Sequence, residues 1–84
     1  MQTIAEFKTP RENGTSPGSI VLRHNPDNEH EPWVTHNYNE DFDGYGNGHY
    51  FAEFGHGWAD FIKRCQQWVE QHGWVYNYDA KSAN

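Results

Sequence analysis

Lysine and arginine are absent from nearly half of this chain, the stretch from His24 to Ile62. The same stretch carries eight of the twelve acidic residues, five of the six histidines and nine of the fourteen aromatic residues. The whole chain has a formal net charge of -6 at pH 7. Because binding to nucleic acid or to an anionic membrane needs a surface rich in lysine and arginine, the composition argues against both. It favours a cationic partner, a metal ion or a protein surface.

Cysteine and long apolar runs are also scarce. Cys65 is the only cysteine, so an internal disulfide is excluded, and neither a signal peptide nor an apolar stretch of about 18 residues is recognisable. We therefore expect a protein of the reducing cytoplasm. Cys65 itself falls on the apolar side of a predicted helix, where it should be a small core residue rather than a reactive thiol.

The order of patterns along the chain predicts an N-terminal arm (1–18), a single domain (19–79) and a frayed tail (80–84). The arm is either mobile or anchored through Ile4 and Phe7 as an edge strand or a helical turn. Ser19–Arg23 should be a strand with Ile20 and Leu22 on one face. Three further segments have the composition of strands: 33–38, 49–54 and 74–78.

The clearest pattern is that of a helix from Trp58 to His72. Apolar residues recur there with helical spacing, at Trp58, Phe61, Ile62, Cys65, Trp68 and Val69. Gly57 is the predicted N-cap, and Asp60 and Arg64 are predicted to lie on the solvent side. The predicted fold class is α+β, a small antiparallel sheet of three or four strands with this helix packed on one face.

The glycine-rich segment from Asn39 to Gly48 predicts a long, flexible hairpin tip in which these two residues pair. In that register the face of the hairpin that is predicted to pack against the helix carries Trp33, Thr35, Tyr50, Ala52 and Phe54. The other face carries Val34, His36, Tyr38, His49, Phe51 and Glu53. That second face is amphipathic, and we predict that it binds a partner.

The predicted partner-binding residues are His36, Tyr38, His49 and Phe51. The alternative is that the N-terminal arm or the last strand covers this face, with both histidines hydrogen-bonded at its margin.

No residue pattern indicates catalysis, and we predict neither catalytic residues nor a cofactor. The segment Asp41–Gly46 begins like a calcium loop, but Tyr45 and Ala52 stand where two ligands are required. His36, His49 and Glu53 offer ligands to a metal ion, although the histidine spacing matches no compact zinc pattern. We therefore predict no metal site.

Three short motifs resemble a family of small uncharacterised proteins found in bacteria and their phages and mobile elements. The motifs are Thr35-His36, Gly48-His49-Tyr50-Phe51, and Ala59-Asp60-Phe61 followed by Arg64. The resemblance covers about residues 33–64. It implies a bacterial or phage setting and assigns neither an activity nor catalytic residues.

The predicted function is that of a non-enzymatic, cytoplasmic protein-binding or regulatory module. Its acidic, aromatic hairpin would meet a basic patch on a protein partner. Two alternatives stay open. One is a phage or mobile-element inhibitor that imitates nucleic acid with rows of carboxylates at phosphate spacing, and the other is a metal-dependent hydrolase with histidine and carboxylate ligands.

Overall fold

The computed structural model describes residues 1–9 and 17–72. Within these ranges the chain forms four strands and one helix: β1 (Gln2–Thr9), β2 (Gly18–His24), β3 (Trp33–Asn39), β4 (Gly44–Phe51) and α1 (Phe54–Gln71). The strands form an antiparallel sheet in the order β1-β2-β3-β4, and α1 packs against β2, β3 and β4. The α+β prediction is confirmed. The strand predicted at 74–78 and the tail at 80–84 lie outside the described residues.

The first residues of the chain belong to the sheet. β1 pairs with β2 along its whole length, with an irregularity between Thr3 and Ala5. Phe7 packs against the core, whereas Ile4 lies at the irregularity with 41% of its surface exposed. The first residues of the predicted arm therefore form an edge strand that is anchored through Phe7, and not a helical turn.

The core lies between β2 and α1. Ile20 and Leu22 share one face of β2, as predicted, and pack against Phe61 of the helix. Leu22 is completely buried. Since burying a large apolar side chain stabilises a fold by about 1.5–3 kcal/mol, these three residues hold the helix to the sheet.

The helix begins four residues earlier than predicted. Its N-cap is Glu53, which has an extended backbone, and Phe54 lies in the first turn rather than in a strand. Gly57 is not the N-cap but a buried residue inside the helix. A Cβ at this position would lie 3.2 Å from Leu22 Cδ1 and 3.3 Å from Trp33 Cβ. The missing side chain therefore lets the helix come close to the sheet.

The helix is also rotated about its axis relative to the prediction. Trp58 and Ile62 were expected to pack on the sheet, but 42% and 37% of their surfaces are exposed. Asp60 and Arg64 were placed on the solvent side, but their side chains are only 19% and 11% exposed. The cause lies in β3, where the completely buried Thr35 offers a hydroxyl that Asp60 binds.

The register of the β3–β4 hairpin differs from the predicted one. Asn39 pairs with Gly44 rather than with Gly48, so the tip is a turn of four residues. An irregularity between Thr35 and Asn37 gives β4 one extra residue opposite β3. The glycines predicted to form the loop therefore lie within β4 itself.

This register changes which side chains share a face of the sheet. His49 pairs with Thr35 and Phe51 pairs with Trp33, so all four point toward the helix. Tyr50 pairs with Val34 and lies on the opposite face. The predicted assignment of His49, Phe51 and Tyr50 to their faces was wrong, because a shift of one residue moves a side chain to the other side.

Candidate functional site

The four predicted partner-binding residues are divided between the two faces of the sheet. His36 and Tyr38 lie on the face opposite α1. His49 and Phe51 lie on the helix face, where Phe51 is half-buried beside Gly57. The structure therefore brings these residues together in pairs and not as one surface.

On the face opposite α1, His36 is a buried residue with 8% of its surface exposed. Its ring stacks on Tyr45 at a centroid distance of 4.5 Å, and the guanidinium of Arg23 lies 4.6 Å from the centroid of the same tyrosine ring. Burial, and then the positive charges of Arg23 and Arg64, lower the pKa of His36 to about 4. The imidazole is therefore neutral at pH 7 and serves as a packing group.

Two nitrogen atoms in this region have no hydrogen-bond partner. They are Nε2 of His36 and Nε of Arg23, and both are buried. An unsatisfied buried polar atom costs about 1–3 kcal/mol, so the stacking on Tyr45 must offset this cost. His36 is thus buried within the opposite face, and not hydrogen-bonded at its margin.

The hairpin tip is an ordered turn that presents one aromatic ring. The Phe42 amide donates to Asn39 Oδ1 at 3.2 Å, the Asp43 amide to the Glu40 carbonyl at 3.3 Å, and the Glu40 amide to the Pro17 carbonyl at 3.0 Å. These bonds close the turn on itself and fasten it to the chain before β2. The ring of Phe42 is 81% exposed.

Tyr38, in β3, stabilises the same turn. Its hydroxyl donates to Asp43 Oδ1 at 2.6 Å. That hydrogen bond to the carboxylate is the main cause that raises the pKa of Tyr38 to about 12. Asp43 itself has a positive φ of 49°, a conformation that aspartate tolerates better than most residues. The predicted site residue Tyr38 is therefore a support for the tip.

On the helix face, three elements meet at one carboxylate oxygen, Asp60 Oδ2. Thr35 donates to it from β3 at 2.5 Å, His49 Nδ1 from β4 at 3.1 Å, and Arg64 Nε from the next turn of α1 at 3.2 Å. Burial alone would raise the pKa of Asp60, but the three hydrogen bonds outweigh it and the pKa is lowered. These four residues are called the Asp60 cluster below.

Arg64 extends this cluster into a cleft. Its Nη1 donates to Asn37 Oδ1 at 3.4 Å and its Nη2 donates to the Asn47 carbonyl. The cleft beside it, called the Arg64 cleft below, has a volume of about 320 Å³. Its polar walls are formed by Asn37, Asn47, His49, Arg64, Gln67 and Gln71, and its apolar walls by Ile20 and Trp68.

Sequence reasoning missed the Asp60 cluster. All four residues occur in the motifs that carry the family resemblance, and Asp60 and Arg64 were predicted to lie on the same side of the helix. The predicted rotation of the helix placed that pair in solvent, and the predicted register placed His49 on the other face. The available signal was Thr35, which was predicted to face the helix. A buried hydroxyl needs a polar partner, and a polar residue of the helix was therefore to be expected opposite it.

A second cluster of rings surrounds the start of α1. Trp33 meets Phe54 edge to face at 5.0 Å, Phe54 stacks on Trp58 at 6.0 Å, and Trp58 lies 5.6 Å from Phe61. The chain of contacts runs from the exposed surface to the core.

Cys65 packs against the core as predicted, and burial raises the pKa of its thiol to about 11. It is therefore a thiol and not a reactive thiolate at neutral pH.

In the described part of the chain, no group of three or more histidine, cysteine, aspartate or glutamate side chains is arranged to hold a metal ion. Nor does any helix among the described residues have the length and apolarity needed to cross a membrane. No protein-family model, curated protein or solved structure matches the chain.

Proposed function

We propose that this protein is a non-enzymatic binding module that recognises a basic patch on a protein partner through the tip of the β3–β4 hairpin. The observation that carries the proposal is the 81% exposure of Phe42 on a turn that is hydrogen-bonded internally. The proposed setting is the cytoplasm, for a protein of bacterial or phage origin, as the single cysteine and the family resemblance suggest.

Phe42 has the properties of an interface anchor. Binding energy at interfaces is concentrated in a few large side chains that fill a pocket on the partner. A ring carried by an ordered turn loses little conformational freedom on binding, which favours affinity. Three hydrogen bonds and the Tyr38 hydroxyl already order this turn.

The charges around Phe42 favour a basic partner. Glu40, Asp41 and Asp43 lie in the same turn, and the nearest lysine or arginine in sequence is at position 23 or 63. Carboxylates that surround an anchor steer an oppositely charged patch toward it and repel acidic surfaces. The partner is thus expected to present an apolar pocket with lysine or arginine at its rim.

The structure gives less support to the two alternatives. An imitator of nucleic acid needs carboxylates in rows at phosphate spacing, whereas the three acids of the tip share one four-residue turn with Phe42. A metal-dependent hydrolase needs ligands that converge on one point, but His36 and His49 lie on opposite faces of the sheet, and Arg64 brings a positive charge to the carboxylate beside His49.

The test compares two alanine variants, each of which removes one exposed aromatic ring from the hairpin. Phe42→Ala removes the anchor. Tyr50→Ala is the matched control, because Tyr50 is 53% exposed and lies outside the tip. Affinity chromatography from the native host with the wild-type protein identifies the partner, and calorimetry with the purified partner measures the dissociation constant of each variant.

We expect Phe42→Ala to weaken binding at least about 30-fold, the effect of an interface anchor, and to leave the melting temperature unchanged. Tyr50→Ala should bind like the wild type. Equal affinities of the wild type and Phe42→Ala for the purified partner would refute the role of the tip. Raised salt should slow association, because the acids act over a distance that salt screens.

A further inference from the structure

We propose that the Arg64 cleft binds a small organic anion, a carboxylate or a phosphate attached to a short apolar group. This site is distinct from the hairpin tip and does not depend on its function.

The charge of the cleft suits an anion. The chain has twelve acidic residues, yet none of the described residues that line the cleft is aspartate or glutamate. Arg64 is the permanent charge on its wall, and the amides of Asn37, Gln67 and Gln71 bring N–H donors. The carboxylate of Asp60, which pairs with Arg64 Nε, is not among the residues that line the cleft. In an acidic protein this cleft is a local site for a negative group.

The guanidinium of Arg64 is fixed in place and keeps donors for a ligand. A guanidinium has five N–H groups. Three of them bind Asp60, Asn37 and the Asn47 carbonyl, which leaves one N–H on each terminal nitrogen. The three bonds hold the group in place, and the side chain is only 11% exposed. A fixed guanidinium with a donor left on each terminal nitrogen suits a carboxylate or a phosphate oxygen pair.

The size and lining of the cleft suit a small ligand with an apolar part. A volume of about 320 Å³ is at the lower end of the range for small-molecule sites, so the ligand is small. Ile20 gives the cleft an apolar wall next to the polar ones. The net charge of -6 opposes a polyanion such as nucleic acid, but a single charge that reaches Arg64 meets no carboxylate in the lining.

The experiment is a titration of isotope-labelled protein followed by NMR, at constant ionic strength and pH 7. The probes are acetate, butyrate, inorganic phosphate and acetamide. Acetamide has the shape of acetate without its charge and serves as the ligand control. The reporters are the Nε–H of Arg64 and the ring of His49, which lines the cleft and is 56% exposed.

We expect saturable shifts of both reporters with acetate and with phosphate, and none with acetamide. Butyrate should bind several-fold more tightly than acetate, because its chain reaches the apolar wall. Whichever of butyrate and phosphate binds more tightly identifies the chemical source of the anion. The absence of saturable shifts with all three anions would overturn the proposal.

Two variants on adjacent helix positions test the location. Gln67→Glu places a carboxylate in the cleft, and Gln66→Glu makes the same charge change on a side chain that lies in a different groove. Both glutamines are exposed, so both variants should fold. We expect Gln67→Glu to weaken anion binding roughly tenfold and Gln66→Glu to leave it almost unchanged.

If Gln67→Glu and Gln66→Glu lose the same affinity for the anion, only the total charge of the protein matters. That result would overturn the assignment to this cleft. Asn47→Asp provides a second test from β4, because its side chain makes none of the hydrogen bonds that hold Arg64. Asn47→Asp should weaken anion binding as much as Gln67→Glu does. If neither Asn47→Asp nor Gln67→Glu changes the affinity, the anion does not bind in this cleft.

Discussion

His36 and His49 occupy neighbouring positions in the same hairpin, yet their surroundings are opposite. His36 lies on the face away from α1, buried, stacked on Tyr45 and beside a cation. His49 lies on the helix face, more than half exposed, with its Nδ1 atom on the carboxylate of Asp60. The face of the sheet on which each histidine lies thus decides what it does. One face uses an uncharged ring for packing and the other uses a ring as part of a polar network.

The largest expected effect comes from removing the carboxylate at the centre of that network. Asp60→Ala leaves the guanidinium of Arg64 and the hydroxyl of Thr35 without their partner in a mostly buried position. We expect a loss of about 3 kcal/mol in the free energy of unfolding, measured by urea denaturation.

Asp43→Asn is the control for that substitution, because the carboxylate of Asp43 accepts one exposed hydrogen bond from Tyr38 and asparagine tolerates the positive φ of this position equally well. It should cost no more than about 1 kcal/mol. If the two variants lose the same stability, the Asp60 cluster is no more important to the fold than an exposed contact.

The second effect concerns the dependence of stability on pH. The pKa of His36 is about 4 in the folded protein and close to 6.5 in the unfolded chain, so the unfolded chain binds more protons between these values. Stability is therefore fully present above pH 6.5 and is lost as the pH falls toward 4, by roughly 2–3 kcal/mol. Asp60, with its lowered pKa, adds a further loss only below the ordinary pKa of 3.8.

His36→Phe keeps the ring stack and removes the titrating group. We expect urea denaturation between pH 7 and pH 4 to show a slope smaller by up to one proton than in the wild type. His30→Ala, in the exposed loop between β2 and β3, is the control and should keep the wild-type slope. A full slope in His36→Phe would show that another group causes the pH dependence.

The smallest effect is expected at the exposed histidine. His49→Gln removes the contact between the imidazole and the carboxylate of Asp60, in which the imidazole is 56% exposed, and water weakens such exposed contacts. The cost should lie below about 1 kcal/mol in thermal or urea denaturation. A loss as large as that of Asp60→Ala would mean that His49 is as structural as His36 and that the two faces differ less than proposed.

The elements of the fold followed from sequence patterns, whereas their relative placement did not. Ile20 and Leu22 were predicted on one face of a strand because alternation is a local property, and they form the core. The rotation of α1 was not predictable from its apolar spacing. Gly57, which looked like a cap, permits a close approach to Leu22 that turns Asp60 toward Thr35.

The candidate site depended on the register of one hairpin. Glycines at 44, 46 and 48 indicated a loop, but all three belong to β4, where Gly44 and Gly46 pair with β3 and Gly48 lies at the irregularity. Glycine composition alone does not distinguish these two possibilities, because glycine is common both in turns and at irregularities of strands. That is why His36 and Tyr38 were correctly placed together, while His49 and Phe51 were assigned to the wrong face.

The extra residue in β4 also controls the composition of both faces. Tyr45 and His49 are four residues apart, and in a regular strand an even spacing would place them on the same side. Because Asn47 and Gly48 together stand opposite His36, the alternation is reset between them, and one strand supplies a phenol ring to one face and an imidazole to the other. The chain is thus less tolerant of a one-residue deletion here than of most substitutions. Such a deletion would remove only one side chain, yet it would move the side chains of half of β4 to the opposite face of the sheet.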